Sequence, residues 1–538
     1  MHFVVRAVGL AVFCCCAVSP AIAQEQPPEA DAASAQDASR PIDILDYRIE
    51  GNTVLQRTAV EEAVLPFMGP KRPASDVEAA RAALEKAYRG AGYETVAVEI
   101  PEQDVRDGVI RLNVVELKVG RLRVEGARFH SPEDIKEKVP ALAQGTVPNY
   151  RDVSEQIAVL NRSGGRLVSP ALRAGSTPDT VDVDLQVEDE SPLHGSVELN
   201  DRSSSRTDRL RASASVRYGN LFQLGHSLSL QGQLAPTAPG QSWAVSGSYV
   251  APIGDKGFSL LAYGVHSNSD VAALGGIGVL GSGDIVGVRG LYSFLTGPQT
   301  APFVNQLIVG LDYKSFKENL ILGADTAATP IDYLPFTLQY SLSQRTEEHD
   351  LDASLALNMG LRGVGADDAE FRAKRYNASA SWLALRADLG YTYKFRAGWR
   401  AGLRVSSQLA SGPLISNEQF AAGGLDSVRG YYESQELGDD GVSGQLQIDS
   451  PPLFPNDPYL KDFRIFGFAD GAVLRVRDPL SSQDPRVELF SVGGGIGFRA
   501  FDHINASTLL AAPLRAKSSV PLDIGNDLRV QFRLWSEF

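Results

Sequence analysis

The sequence predicts a transmembrane β-barrel of about sixteen antiparallel strands preceded by two small α+β repeats. Three observations predict it. From Leu193 to the C-terminus, apolar and polar side chains alternate in run after run, giving each strand one apolar and one wet face. Between residues 42 and 190, one pattern of glycines and apolar positions occurs twice. At the N-terminus, a short stretch has the form of an export signal.

That signal has Arg6 in its basic part, an apolar part from Ala7 to Val18, and Ala21-Ile22-Ala23 as a small-x-small cleavage site before Gln24. Residues 1–23 are expected to be removed on export. All three cysteines, Cys14, Cys15 and Cys16, lie inside it, so the exported chain is expected to lack disulfides and cysteine-based zinc sites. No later apolar run approaches the ~20 residues of a membrane helix. The net charge of −14 argues against a nucleic-acid partner, for which a basic face is the footprint. Residues 24–41, rich in Pro, Ala, Ser and acid, read as a disordered leader.

The repeats follow. Ile49-Glu50-Gly51-Asn52 returns as Val124-Glu125-Gly126-Ala127, and Val60, Glu62 and Val64 return as Ile135, Glu137 and Val139. Ile110, Leu112 and Val114 return as Val183, Leu185 and Val187. Each unit, 42–117 and 118–190, reads as strand, helix, helix, strand, strand. In the first, the elements are expected at 44–50, 57–65, 75–89, 95–100 and 109–115, with Val77, Ala80, Leu84 and Tyr88 at helical spacing. In the second, they are expected at 120–125, 132–139, 150–161, 167–173 and 180–188.

The barrel is read over 193–538. Leu228, Leu230 and Leu234 alternate with Ser227, Ser229, Gln231 and Gln233, and similar runs continue to 528–538, one of them spanning 374–395. Soluble sheets alternate too. The export signal, the length, the Gly-Ser-Gln-rich inward faces and the terminal Phe538 point instead to an outer membrane.

One insertion, about 411–442, breaks the alternation with Gly423-Gly424-Leu425-Asp426-Ser427-Val428-Arg429-Gly430-Tyr431. The run is too polar to span a membrane and, with its glycines, reads as too flexible to form a core. A loop with a fixed charge inside a cylinder would serve as a plug or latch. Five strands follow it, and one carries Phe468-Ala469-Asp470-Gly471-Ala472. Phe468 and Asp470 share parity, so both are expected to face the lumen.

With these residues the chain resembles the two-partner secretion transporters, the TpsB branch (ShlB/FhaC/HecB-like) of the superfamily of POTRA-barrel proteins that also contains BamA. The resemblance covers nearly the whole exported chain: two POTRA-like repeats, the barrel, Val428-Arg429-Gly430-Tyr431 as the lumen-loop motif, and a Phe-x-Asp-x-Gly motif. In the last motif Ala472 stands at the glycine's place. The resemblance implies an outer-membrane translocase that passes an unfolded, TpsA-like secreted polypeptide from periplasm to cell surface. It also implies POTRA domains as receptor, outer-membrane lipid around the barrel, and Phe538 as a signal to the barrel-assembly machinery. Arg429 is implied to pair with Asp470 and hold the loop against the wall. In a wet lumen this reads as a breakable lock, since exposed ion pairs net only ~0–1 kcal/mol. Gly430 would let the backbone turn, and Tyr431 would pack on the wall. The alternative is a BamA-like assembly factor, though such proteins usually carry more than two periplasmic repeats; a passive porin explains neither the repeats nor the loop. Many of these transporters carry an N-terminal plug helix, for which residues 24–41 are too short at ~1.5 Å per residue, so no full plug helix is expected.

No enzyme motif competes. Gly276-Ile277-Gly278-Val279-Leu280-Gly281 spells a dinucleotide fingerprint without the strand-turn-helix context it needs. His-Glu-x-x-His and Gly-x-Ser-x-Gly do not occur, and the seven histidines are scattered. No catalytic residue, cofactor or metal site is assigned.

Overall fold

The computed structural model describes residues 41–538 except 106, 163–164, 206, 255, 270, 275–276, 299, 323–324, 482 and 518–527. The expected export signal, the leader before Pro41 and the expectation about a plug helix therefore fall outside the described residues, as does Gly276.

The first repeat contains β1 (Ile42–Ile44), β2 (Asp46–Glu50), α1 (Arg57–Val64), β3 (Gly69–Arg72), α2 (Ser75–Gly90), β4 (Val96–Glu99) and β5 (Val109–Glu116). Its sheet has the order β2-β5-β4, with β2 parallel and β4 antiparallel to β5. Val77, Ala80, Leu84 and Tyr88 form the buried face of α2, against Leu112 and Val114 of β5 in one apolar core. The helix ends in a Schellman turn: Gly92 takes φ +99° and the Tyr93 N–H donates to the Tyr88 carbonyl at 3.0 Å. The pairing of β1 with β3 was not expected. Gly69-Pro70-Lys71-Arg72 has no alternation to announce a strand, and it is held by backbone pairing and by Lys71 N–H donating to Asp43 Oδ1 at 2.8 Å.

The second repeat contains β6 (Lys118–Glu125), α3 (Pro132–Glu137), α4 (Tyr150–Arg162), β7 (Arg166–Ala174) and β8 (Thr180–Asp189), with sheet order β6-β8-β7. Two compact units divide the chain, and the division falls within this repeat. The duplication is visible at single-residue level. Gly51 takes φ +87° with its α-carbon against the Val114 carbonyl, and Gly126 takes φ +88° against the Val187 carbonyl. A side chain at either position would collide with backbone.

The barrel closes with sixteen strands, all antiparallel to their neighbours. They are β9 (Leu193–Asn200), β10 (Arg211–Leu221), β11 (His226–Leu234), β12 (Trp243–Ile253), β13 (Phe258–Ser267), β16 (Gly283–Thr296), β17 (Phe303–Leu322), β18 (Asp325–Arg345), β19 (His349–Gly365), β20 (Leu383–Lys394), β21 (Arg400–Ala410), β24 (Asp440–Asp449), β25 (Leu460–Arg475), β26 (Arg486–Ala500), β27 (Ile504–Lys517) and β28 (Arg529–Glu537). Two short hairpins, β14 (Val271–Leu274) with β15 (Ile277–Leu280), and β22 (Phe420–Ala422) with β23 (Glu436–Gly438), lie outside the wall. The glycine-rich run that spelled a dinucleotide fingerprint thus contributes a strand, β15. Leu228, Leu230 and Leu234 are exposed on the outer face, as the alternation requires. Among the described residues no helix is long and apolar enough to cross a membrane; the crossing is made by strands.

The run 374–395 is corrected. Strand β20 starts only at Leu383, and before it Asp368–Lys374 form helix α5. Asp367 and Glu370 make a reciprocal capping box there, which favours a helix start over a strand. The seam between β28 and β9 pairs Arg533↔Asn200 through Glu537↔Ser196. Phe538 extends it, donating its N–H to the Gly195 carbonyl at 3.0 Å and accepting the Gly195 N–H at 2.8 Å.

Candidate functional site

The connection from β21 to β24 leaves the barrel end opposite Leu193 and folds back into the lumen. Its limbs pair as β22 and β23, Phe420↔Gly438 to Ala422↔Glu436, and residues 423–435 form the head. Gly423, Gly424 and Gly430 all take positive φ, at +109°, +103° and +92°. At Gly430 a Cβ would also stand 3.0 Å from Ala511 Cβ, so both conformation and space call for glycine. The expectation that this run is too flexible to form a core is overturned. Val428 and Tyr431 are buried with Ala422, Ala472, Leu474, Val487 and Leu489 in a small apolar cluster. The two limbs bring the run against the wall, so its few apolar side chains are buried by strands far away in sequence.

Arg429 meets Asp470 of β25. Nε donates to Oδ2 at 2.7 Å, Nη2 to Oδ1 at 2.7 Å, and the Arg429 backbone N–H to Oδ2 at 3.0 Å. Nη1 donates to Gln447 Oε1 at 2.5 Å. The guanidinium lies 3.8 Å from the centre of the Phe468 ring, and that ring fills the space over Gly493 of β26. Phe468 and Asp470 do share the inward face. The expectation of a wet, exposed pair is corrected: the Asp470 side chain is 0% and the Arg429 side chain 8% exposed, because the loop head itself covers them. A buried pair of this kind is held by geometry and hydrogen bonding, and removing one partner strands the other charge. The displaced glycine also has an account. Gly471 faces Phe490 on the outer side, whereas Ala472 points inward and its methyl joins the cluster around Val428 and Tyr431. The Tyr431 hydroxyl donates to the Phe490 carbonyl at 3.0 Å, and the Gly430 N–H donates to Gln531 Oε1 at 2.8 Å.

Below the head lies a cavity of about 850 Å³, roofed by Leu425, Asp426 and Arg429 and lined by charged residues such as Asp388, Arg404 and Arg533 and by apolar ones such as Leu403 and Phe466. Residues 179–500, more than half of the chain, match the haemolysin secretion/activation protein family ShlB/FhaC/HecB. The chain belongs to this family. Residues 42–116 match the ShlB-type POTRA domain. The outer membrane transporter CdiB of Escherichia coli O6:K15:H31 (strain 536 / UPEC) is 24% identical over 184 residues, 34% of this chain and 31% of the relative; the chain thus matches about a third of the length of that curated relative. Among solved structures, CdiB from Escherichia coli aligns with a TM-score of 0.60 at 18% identity, covering 95% of this chain and 93% of that one. BamA from Haemophilus ducreyi lacking POTRA domains 1–3 aligns with a TM-score of 0.54 at 15% identity, covering 92% and 100%. At these identities the likeness is one of fold. ShlB-family membership and a closed barrel with an apolar outer face make this an outer-membrane protein with its POTRA region in the periplasm.

In this ShlB-family barrel the loop has further anchors that no sequence spacing announced. Glu418, 2% exposed, accepts from Lys314 Nζ at 2.5 Å and from the Tyr333 hydroxyl at 2.7 Å. Arg202, just beyond β9, donates to Glu433 at 3.1 Å and to Asp426. Asp440 pairs with Arg477 at 2.7 Å, and Asp439 pairs with Arg375 at 2.7 Å. The partners are separated by 37 to 231 residues, so only the fold brings them together.

Proposed function

We propose that this protein is the translocase of a two-partner secretion system, passing an unfolded TpsA-like polypeptide from the periplasm through the barrel to the cell surface. The observation that carries the reading is the lumen loop, which lies above a cavity lined by both charged and apolar side chains and is held to the wall by the Arg429–Asp470 pair. Release of that pair would let the head swing away from Gln447, Phe468 and Asp470 and extend the cavity into a channel. Gly423, Gly424 and Gly430 supply the backbone conformations of the head, and Val428 and Tyr431 seat it.

The POTRA region would receive the client by strand addition, since backbone hydrogen bonds tolerate varied sequence. Strand β7 is an edge of its sheet and exposes Leu167 and Leu172, which suits an extended apolar client. Outer-membrane lipid would cover the apolar wall, and the barrel-assembly machinery would read the last strand with Phe538. The reading involves no catalysis, cofactor, metal or nucleic acid; folding of the client outside would drive its passage.

Depletion of the protein in cells that express a large secreted β-helical partner encoded beside it tests the function. The partner is expected to remain in the periplasm while resident porins assemble normally. Failure of those porins with undisturbed secretion would replace the reading with that of a BamA-like assembly factor.

A further inference from the structure

The extracellular connection between β19 and β20 makes a second attachment that the Arg429 lock does not use. Helix α5 lies in it, and Phe371 of that helix is buried 5.6 Å from the ring of Tyr333, centre to centre. Phe371, Ala378, Ala380 and Trp382 form one apolar cluster with Leu414 and Ile415 of the descending limb of the lumen loop. This segment therefore sits as a lid over the loop's root.

Beside this cluster and a hydrogen bond from Lys374 Nζ to Asn417 Oδ1 at 3.3 Å, an ion pair joins the lid to the loop. Arg375, the residue after α5, donates Nη1 to Asp439 Oδ1 at 3.0 Å and Nη2 to Oδ2 at 2.7 Å. The same two nitrogens donate to the carbonyls of Leu414 at 3.0 Å and Arg477 at 2.9 Å. Asp439 is 0% exposed and accepts three more bonds: from the N–H of Leu414 at 2.8 Å, from the N–H of Arg477 at 2.7 Å, and from Gln419 Nε2 at 3.2 Å. Lid, descending limb, ascending limb and the turn after β25 are thus joined through one guanidinium and one carboxylate. A planar fork with its donors in fixed directions can satisfy this set, and a flexible ammonium cannot.

We infer that Arg375 is a positioning residue for translocation, an outer clamp that fixes the root of the lumen loop to the lid, so that the pore opens fully only when both this clamp and the Arg429 lock are released. The inference rests on the translocase reading. Its physical ground is the separation of the two attachments along the loop. Freeing Arg429 loosens the head, which Arg202 still holds through Glu433 and Asp426, but both limbs stay tied at Asp439, and the loop keeps its place in the lumen.

The test uses the full-length protein, in planar bilayers and in cells, as wild type, Arg375→Gln, Arg375→Lys, Arg429→Ala and Arg375→Gln/Arg429→Ala, with barrel assembly checked by heat-modifiable mobility. The double variant is expected to dwell open about tenfold more than either single variant, as the loss of several charge-assisted bonds at once implies. Since the chain has no cysteine beyond position 16, a Ser427→Cys probe reports the head. Its labelling by a membrane-impermeant maleimide from outside is expected to rise about tenfold in Arg375→Gln and less in Arg375→Lys. If Arg375→Gln does not assemble, Phe371→Ala, which loosens the lid and leaves the ion pair in place, is expected to change both readouts in the same direction. A double variant no more open than Arg429→Ala, with labelling unchanged, overturns the clamp. That outcome leaves the translocase reading intact if Arg429→Ala still loses secretion. If the pore opens as expected while secretion of the partner is indifferent to every variant, the clamp stands and the translocase reading falls.

Discussion

The first POTRA repeat and the lumen loop each bury a small set of side chains, by opposite means. In the repeat, Val77, Ala80, Leu84 and Tyr88 of α2 close on Leu112 and Val114 in a continuous apolar core. In the loop, Val428 and Tyr431 of the head share a small apolar seat and Leu425 packs beside Phe466 and Phe468, and charge pairs add to the hold: Arg429 on Asp470, Glu418 under Lys314, Glu433 and Asp426 on Arg202. Apolar burial is non-directional and tolerates small shifts. A buried ion pair is favourable in one geometry and costly when half of it is lost. The repeat is held by apolar burial, and on the proposed translocase reading the loop has one closed position that can be left.

The largest effect expected from this contrast is in the repeat. Leu84→Ala removes a fully buried side chain and should cost about 2–5 kcal/mol, seen as a lower urea midpoint for the POTRA region with the heat-modifiable mobility of the barrel unchanged. A smaller effect is expected in the loop. Gly430→Ala forces a Cβ onto a backbone at φ +92° beside Ala511, a strain of about 1–3 kcal/mol. It should raise pore conductance without moving the urea midpoint of the POTRA region. The smallest is a pH effect at Asp189, at the end of the second repeat. Burial alone would raise its carboxyl, but the N–H groups of Arg128, Phe129 and His130 and the His130 ring outweigh burial and hold it below the usual carboxylate range. A depressed folded value means stability that is present above the unfolded value of about 3.9 and lost as pH falls through the folded one. The advantage of wild type over Asp189→Asn in urea unfolding should therefore hold at pH 6 and fade below about pH 4; an advantage that grows on acidification would contradict it.

The same contrast decides what was legible in the sequence. Apolar spacing gave the repeat helices, and period-2 alternation gave all sixteen wall strands, because both follow from local geometry. Ala378, Ala380 and Trp382 alternate with Asn377, Ser379 and Ser381 and are buried, yet residues 375–382 form turns and bends, not a strand. Alternation does not say whether such a segment is wall or lid, so the run 374–395 was read as one strand. Arg429 and Asp470 were legible only through a family motif. Arg375, Asp439, Glu418 and Arg202 were not, since a charge in a loop has no periodicity and its partner is chosen by the closed barrel.

The central claim, that a buried charge pair holds the loop closed in a translocation pore, is tested most directly by secretion of the partner from cells carrying wild type, Arg429→Ala, Asp470→Ala or the double variant, with barrel assembly verified in each. Each single variant strands a buried charge and should lose secretion while the barrel assembles; the double variant should be no worse than either. Full secretion from both single variants, or losses that simply add in the double, would contradict the account.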